Sequence, residues 1–506
     1  MTNANLVDHL FQCLQQLNVA EVVVCAGARN FPIVHHLEGQ SFKVISYFEE
    51  RSASFYALGR MRATHRPVAV VVTSGTAVSE LYSAVIESYY QGLPLIVITA
   101  DRPKSYRGSG APQAIQQANL FQSYVSDCLD WDIHTTNFTV QYNSQQPLHF
   151  NICFDEPLLD EKTNQSSPVQ IQNLENKMAN WHSDIAIKNP LVILSDIPTQ
   201  HRQAVQCWIE KNNLYVYPEF LSGISGAGLN CIHEAEIDQY IKKNQIQSIV
   251  RIGGIPTLRM WRDLEGKYKH LPVYHFSQRP FSGLSQQRDV YPIETLFNVS
   301  VDSALPIIHS AEKFNQLKAI LQKYPKSEQS WMTYLRQNIL NQNVYIGNSL
   351  PIRIWDFVTG VCQSSHLNPY ANRGANGIDG QVSTYLGWAQ DLSESWCVLG
   401  DLTTLYDLAA LGLATNFDSQ CRIVIMNNSG GQIFNRIFGN EKYLNPQNVQ
   451  FKYWAQMWGW EYLAVHQPED LEPIKNSHLK KVVIEIFIDK NQTQSVWMEC
   501  DQLWKK

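Results

Sequence analysis

A chain of 506 residues, 44% hydrophobic and 17% charged, is long enough for about three domains with well-buried cores. Its formal net charge of −6 excludes the basic excess of a nucleic-acid binder and leaves no acidic tail. The ten cysteines form no C-x-x-C pair and several sit inside apolar runs such as EVVVCAG and ESWCVLG, so they read as reduced thiols of a cytoplasmic protein.

The opening stretch, MTNANLVDHLFQCLQQLN, spaces its apolar residues as a helix does and shows no basic segment followed by an apolar core. Neither a signal peptide nor a membrane span is expected. Short Val- and Ile-rich runs follow at 21–27, 67–75, 94–101 and 148–154. Runs that are apolar throughout suit parallel strands covered by helices on both faces. Between the first two runs, His35 and His36 have no Cys or carboxylate at metal spacing and read as helix-face residues. A second block of runs lies at 189–196, 246–254 and 271–277. Within it, GISGAG at 223–228 departs from G-x-G-x-x-G and reads as a turn-forming loop. Polar stretches near 160–188 and 320–345 are the expected linkers, although KFNQLKAILQKY and SWMTYLRQNIL carry helical spacing. The third block has runs at 394–401, 421–428 and 480–489, and the aromatic-rich YWAQMWGWEYLAV at 453–465 is expected to cover its sheet. The alternation predicts an α/β protein with three doubly wound parallel-sheet domains.

The third block carries the most specific chemistry. Asp401 ends one apolar run and Asn427-Asn428-Ser429-Gly430-Gly431 ends the next. In an open parallel sheet, ligands collect at the carboxyl ends of strands, so the two ends can meet in one site. A hard cation such as Mg²⁺ takes oxygen ligands from one or two side chains together with phosphate oxygens and water. Gly400 and Gly430-Gly431 permit close approach of backbone to a diphosphate, and a helix LYDLAALGLA, expected from about Thr404, would aim its first amides there. On spacing alone the alternative stands open that Asp401 caps that helix and Asn-Gly is a turn.

Gly400-Asp401 followed one strand later by Asn427-Asn428 resembles the thiamine-diphosphate signature. YFEERSASFYALGRMR, PVAVVVTSGTAV, GAPQAIQQANLF, NRGANGIDGQVSTYLG and GDLTTLYDLAAL with NNSGGQIF are together similar to the 2-succinyl-5-enolpyruvyl-6-hydroxy-3-cyclohexene-1-carboxylate (SEPHCHC) synthase family of the menaquinone pathway. The likeness is strong over both outer thirds and weak over the middle. It implies a pyrimidine-binding domain at 1–170, a middle domain at 185–320 and a diphosphate-binding domain at 335–506. It also implies thiamine diphosphate with Mg²⁺, or Mn²⁺ in its place, held by Asp401, Asn428 and the carbonyl of Gly430. Thr76, Gly400, Leu402, Gln432 and Ile433 match further cofactor contacts, and Ile378 matches the apolar residue that wedges the cofactor into its V shape. Glu50 matches the glutamate on the aminopyrimidine ring. A carboxyl group there shares a proton with the ring nitrogen and favours the tautomer that activates the thiazolium carbon.

The resemblance further implies 2-oxoglutarate as donor, its distal carboxylate held by Arg353 and Arg373 with Ser349 beside them; a planar guanidinium offers the paired donors that a carboxylate accepts. Isochorismate is the implied acceptor, met by Arg29, Arg102, Gln113 and Arg259, with Arg29 and Gln113 also matching catalytic positions. Ala28, Pro112 and Met260 stand where the family has polar residues, and losing a buried contact to a charged ligand costs about 1.5 to 3 kcal/mol. These departures leave open a carboligase or decarboxylase with another acceptor, such as an aldehyde. A catalytically silent binding protein is the remaining alternative, opposed by the intact Glu50, Asp401 and Asn428. Such enzymes build each active site between chains, so a homodimer or homotetramer is expected, with small-molecule substrates and no nucleic acid.

Overall fold

Each expected apolar run becomes a strand of one of three six-stranded sheets. The computed structural model describes residues 1–506 except 163–167, 183–185, 227, 304–310, 341–342, 363–366, 439, 476–478 and 506. The first sheet contains β1 (Glu21–Val24), β2 (Lys43–Ser46), β3 (Val68–Val72), β4 (Leu95–Asp101), β5 (Cys128–Trp131) and β6 (Leu148–Cys153), ordered β2-β1-β3-β4-β6-β5. The second contains β7 (Pro190–Leu194), β8 (Tyr215–Pro218), β9 (Asn230–Cys231), β10 (Ser248–Ile252), β11 (Val273–Ser277) and β12 (Val290–Pro292), ordered β9-β8-β7-β10-β11-β12. The third contains β13 (Asn343–Ile346), β14 (Asn368–Tyr370), β15 (Glu394–Gly400), β16 (Gln420–Asn427), β17 (Glu461–Val465) and β18 (Lys481–Phe487), ordered β14-β13-β15-β16-β18-β17. Neighbouring strands in all three sheets pair in parallel.

The strands that no long apolar run announced are the six edge strands and the short inner strands β8 and β13. An edge strand is covered less completely, so it tolerates polar residues, as Lys43 and Ser46 of β2 show by their exposure. The two stretches expected as linkers carry structure of their own. Gln170–Asn173 pairs in parallel with Thr139–Tyr142, and Ala186–Lys188 with Ser300–Asp302. The later stretch holds the helices Ala311–Lys323 and Glu328–Asn338, as their spacing suggested.

The chain divides into two compact units. One comprises residues 1–176, 372–392 and 406–419, the other 177–371, 393–405 and 420–506. The first sheet belongs to the first unit, where Leu10, Val22, Ile96 and Phe150 are part of its core. The second unit holds the other two sheets; Leu191, Ile249 and Trp261 line one face of the middle sheet, and Val192, Val250 and Phe276 the other. Trp331, Val398, Val424 and Ile484 belong to the core around the third sheet. In the aromatic-rich stretch, Trp454 and Trp460 are buried as expected, whereas Tyr453 and Met457 face solvent. No helix among the described residues is long and apolar enough to cross a membrane.

Five helices position the chemistry: α1 (Glu50–Thr64), α2 (Glu328–Asn338), α3 (Leu350–Phe357), α4 (Gln381–Ala389) and α5 (Asp401–Leu405). In the first unit α1 and α4 cross backbone to backbone. A Cβ at Gly59 would lie 2.0 Å from the carbonyl oxygen of Thr384, and one at Gly387 would lie 2.1 Å from that of Tyr56. Gly387→Ala must push the helices apart and is expected to cost about 1–3 kcal/mol, seen as an earlier calorimetric transition. An unchanged transition would show that the crossing has slack.

The helix expected from Thr404 onward is interrupted. α5 stops at Leu405, and the chain re-forms only a 3₁₀ turn at Ala410–Ala414. The reason lies in Asp407, whose buried carboxylate accepts hydrogen bonds from Ser52 Oγ (3.3 Å), Ser383 N (2.7 Å) and Ser383 Oγ (2.9 Å). Those bonds tie residues 406–419 to α1 and α4, overriding the helical spacing of the segment.

Candidate active site

In the second unit, β15 and β16 lie side by side with Gly400 opposite Met426, so Asp401 and Asn428 emerge at adjacent carboxyl ends. Asp401 Oδ2 accepts hydrogen bonds from Gly430 N (2.7 Å) and Gln447 Nε2 (2.7 Å), and Oδ1 accepts one from Leu402 N (2.8 Å). Burial raises the Asp401 pKa, and these bonds oppose the rise. Gln447 also donates to Asn427 Oδ1 (3.1 Å), while Asn427 Nδ2 donates to Glu485 (2.6 Å). Asn427 is thereby a brace, with both ends of its amide taken by protein groups.

Asn428 is buried, donates from Nδ2 to Glu328 Oε2 (3.1 Å), and leaves Oδ1 without a hydrogen-bond partner among the described residues. A buried oxygen left this way costs about 1–3 kcal/mol. A hard divalent cation fits it: carboxylate, amide oxygen and the carbonyl of Gly430 form an all-oxygen set. Gly430 has φ of 132°, and a Cβ there would lie 2.6 Å from the Leu444 carbonyl oxygen, so only glycine brings the backbone into place. Burial pushes the Glu328 pKa up to about 7, with the Asn428 hydrogen bond opposing and the Asp401 charge adding. Leu402, Gln432 and Ile433 are half-buried beside this turn, the last two in the 3₁₀ segment Gln432–Phe434. His35 and His36 lie in the helix Phe31–Leu37, where His36 Nδ1 meets Pro32 O at 2.7 Å.

β13 pairs with β15 on the other side, and Ser349 follows it with φ of 75° at the start of α3. Arg353 Nη1 donates to Ser349 O (2.5 Å). Burial and then Arg262 lower the Arg353 pKa, while Asp356, Glu219 and Glu234 oppose. Arg259 is exposed, and its backbone N donates to Glu234 (2.8 Å). Met260 turns into the core of the middle sheet, so it packs rather than standing in for a polar ligand contact.

In the first unit the expected residues likewise follow carboxyl ends: Arg29 after β1, Glu50 at the first position of α1 after β2, Thr76 after β3 and Arg102 after β4. Glu49 caps α1 by accepting from Arg51 N and Ser52 N, which frees Glu50 from that task. Glu50 is half-buried, and its charge, after burial, helps to raise the pKa of the Cys25 thiol at the end of β1. Arg102 Nε donates to Pro112 O (3.0 Å), and a Cβ at Gly75 would lie 3.1 Å from Gln113 Cα. The segments TSGT, ADRP and APQAI thus converge. Arg29 Nη1 meets Glu156 Oε1 at 3.2 Å. Arg373 is buried and Ile378 half-buried in a loop whose course is set by Glu87, which accepts from Gly374 N, Ala375 N and Asn376 N. Arg373, expected to share one carboxylate with Arg353, belongs to the first unit and Arg353 to the second.

Three buried polar residues, Glu87, Gln117 and Glu328, and the half-buried Gln447 stand outside the expected site residues. Glu87 is a single charge in the otherwise uncharged stretch YSAVIESYYQ, a signal that was there to find. Gln117 accepts from Gly75 N (3.2 Å) and donates to Ala100 O (3.0 Å), joining two of the converging segments. Glu328 and Gln447 reach the third sheet from outside any motif.

Three parallel α/β sheets with an Asp and an Asn-x-Gly turn at adjacent strand ends define a class, the thiamine-diphosphate enzymes. The fold is that of a crystal structure titled benzoylformate decarboxylase from Polynucleobacter necessarius, with a TM-score of 0.72 and 15% identity over 97% of this chain and 99% of that one. The family model of the thiamine pyrophosphate enzyme N-terminal TPP binding domain matches residues 4–120. Over 100% of both chains the sequence is 41% identical to the SEPHCHC synthase of Bdellovibrio bacteriovorus. It is 32% identical to that of Akkermansia muciniphila over 94% of this chain and 95% of the relative, and 27% identical to one from Staphylococcus epidermidis over 98% of each. The chain belongs to the SEPHCHC synthase family and is a thiamine-diphosphate-dependent synthase of menaquinone biosynthesis.

Proposed function

We propose that the enzyme decarboxylates 2-oxoglutarate and adds the four-carbon fragment that remains to isochorismate in a conjugate addition, yielding SEPHCHC. The substrates follow from membership of the SEPHCHC synthase family, and the observation that supports its metal and cofactor site is the buried Asn428 Oδ1, without a partner among the described residues, beside the Asp401–Gly430 hydrogen bond at the ends of β15 and β16. Asp401, Asn428 and the Gly430 carbonyl would hold Mg²⁺, or Mn²⁺, which would offset the charge of the diphosphate. Thr76, Ile378, Gly400, Leu402, Gln432 and Ile433 contact the cofactor. When bound, thiamine diphosphate supplies the electron sink that loss of CO₂ from a 2-oxo acid requires.

The chain's own residues do the rest. Glu50 would hold and return a proton at its carboxyl group beside the pyrimidine ring. Arg353 and Arg373, with Ser349, hold the distal carboxylate of 2-oxoglutarate; Arg29, Arg102, Gln113 and Arg259 orient isochorismate, and Arg29 and Gln113 sit at the reacting face. The three sheets are the cores of a pyrimidine-binding domain (1–170), a middle domain (185–320) and a diphosphate-binding domain (335–506). The working form is a cytoplasmic homodimer or homotetramer with active sites between chains.

The test is mass-spectrometric product analysis with thiamine diphosphate, Mg²⁺ and 2-oxoglutarate, with and without isochorismate. An adduct that needs isochorismate is expected. Succinic semialdehyde alone, with isochorismate untouched, would transfer the function to another acceptor, the reading that Ala28 and Pro112 favour. For the donor site, Arg353→Ala should raise the KM for 2-oxoglutarate roughly 10- to 100-fold, since a charged hydrogen bond contributes about 1.5–3 kcal/mol. An unchanged donor KM would remove Arg353 from the site.

A further inference from the structure

We propose that Glu328 is a positioning residue that fixes which face Asn428 turns to the metal, an inference that rests on the Mg²⁺ site proposed above. Glu328 opens α2, buried at 1% exposure, and its backbone N donates to Thr493 Oγ1 (3.0 Å). Ser327 caps the same helix by accepting from Ser330 N. The carboxylate is therefore held by its backbone, on an element outside every motif of the cofactor site.

Among the described residues its carboxylate hydrogen-bonds to Asn428, whose Nδ2 donates to Oε2 at 3.1 Å. A carboxylate only accepts hydrogen bonds, so it selects the NH₂ edge of an amide and leaves the carbonyl edge on the other side. That carbonyl oxygen is the buried Oδ1 without a partner among the described residues. An amide can flip by exchanging its N and O ends, and flipping would present NH₂ to a cation. Glu328 opposes the flip because an oxygen facing its carboxylate would repel it. Asn427 shows the same device in the next position, its NH₂ held by Glu485 (2.6 Å). Two consecutive amides are thus oriented by two buried carboxylates. Only the second leaves its oxygen unpartnered, because Asn427 Oδ1 accepts from Gln447 and from Ser429 N. Residues that orient a metal ligand typically affect affinity 10- to 100-fold.

The experiment is a Mn²⁺ titration followed by electron paramagnetic resonance on the full chain with thiamine diphosphate, at mildly alkaline pH. Four proteins are compared: the unmodified chain, Glu328→Gln, Asn428→Asp and the double variant. Glu328→Gln should weaken Mn²⁺ about 10- to 100-fold when residue 428 is Asn, because a glutamine donates as readily as it accepts and permits the flipped amide. In the Asn428→Asp background the same change should cost several-fold less, because both oxygens of an aspartate are equivalent and no flip is possible. Melting of the metal-free proteins identifies a variant that fails to fold; for such a pair, Glu328→Ala against Asn428→Asp, Glu328→Ala repeats the comparison. Equal losses in both backgrounds would make Glu328 merely a nearby charge, and no loss in either would make it structural; either result overturns the proposal. Absence of Mn²⁺ binding by the unmodified chain would overturn the metal site itself and this inference with it.

Discussion

Glu50→Gln is expected to lower kcat about 100- to 10,000-fold while thiamine diphosphate remains bound, the range for removing a positioned acid–base group. The amide keeps the size of the carboxyl group but neither takes nor gives a proton at working pH, and its NH₂ end donates where a carboxylate oxygen accepts. Local structure should survive the change. Glu49, not Glu50, caps α1, and its bonds to Arg51 N and Ser52 N do not involve the neighbouring side chain. Steady-state kinetics with calorimetric titration of the cofactor separates the two effects. Turnover near that of the unmodified enzyme would remove Glu50 from the catalytic role, and loss of cofactor binding would make it a ligand-holding residue instead.

Arg60→Ala is expected to destabilise the first unit by about 3–5 kcal/mol, the cost of stranding one partner of a buried ion pair. Arg60 donates from Nε and Nη2 to the two oxygens of Glu21 at 2.7 and 2.6 Å, and its side chain is 1% exposed. It also donates to the carbonyl of Gly387 (3.1 Å) and to Asp391 (2.6 Å). The guanidinium therefore joins β1, α1 and the end of α4. With it gone, Glu21 remains buried at 5% exposure and keeps, among the described residues, only Lys43 Nζ, at 3.4 Å, as a charged donor. Denaturant unfolding followed through the first unit's two tryptophans, Trp131 and Trp388, reports the loss. The double change with Glu21→Gln should recover part of it, and no recovery would assign the loss to packing of the arginine stem.

How much of this was legible differs by kind of residue. The central strands were readable because a strand covered on both faces must be apolar along its whole length, whatever its partners, as Val68–Val72 and Leu95–Asp101 illustrate. Asp401 and Asn428 were readable because each sits at the end of such a run. The helix expected from Thr404 was misjudged because Asp407 has its partners, Ser52 and Ser383, far along the chain.

The sequence by itself determined the α/β class, the strand ends that carry Asp401 and Asn428, and the family, since each depends on residues close together along the chain, whereas the edge strand that precedes Glu50 showed only in the tertiary structure. The tertiary structure decided which carboxylates hold those ends in place. Glu87 reaches Gly374 from 287 residues away and Glu328 reaches Asn428 from 100, and a hydrogen bond at such separation leaves no periodic trace in either segment. Burial makes these long-range choices costly to leave unmade, so the fold must satisfy them even though no local pattern announces them.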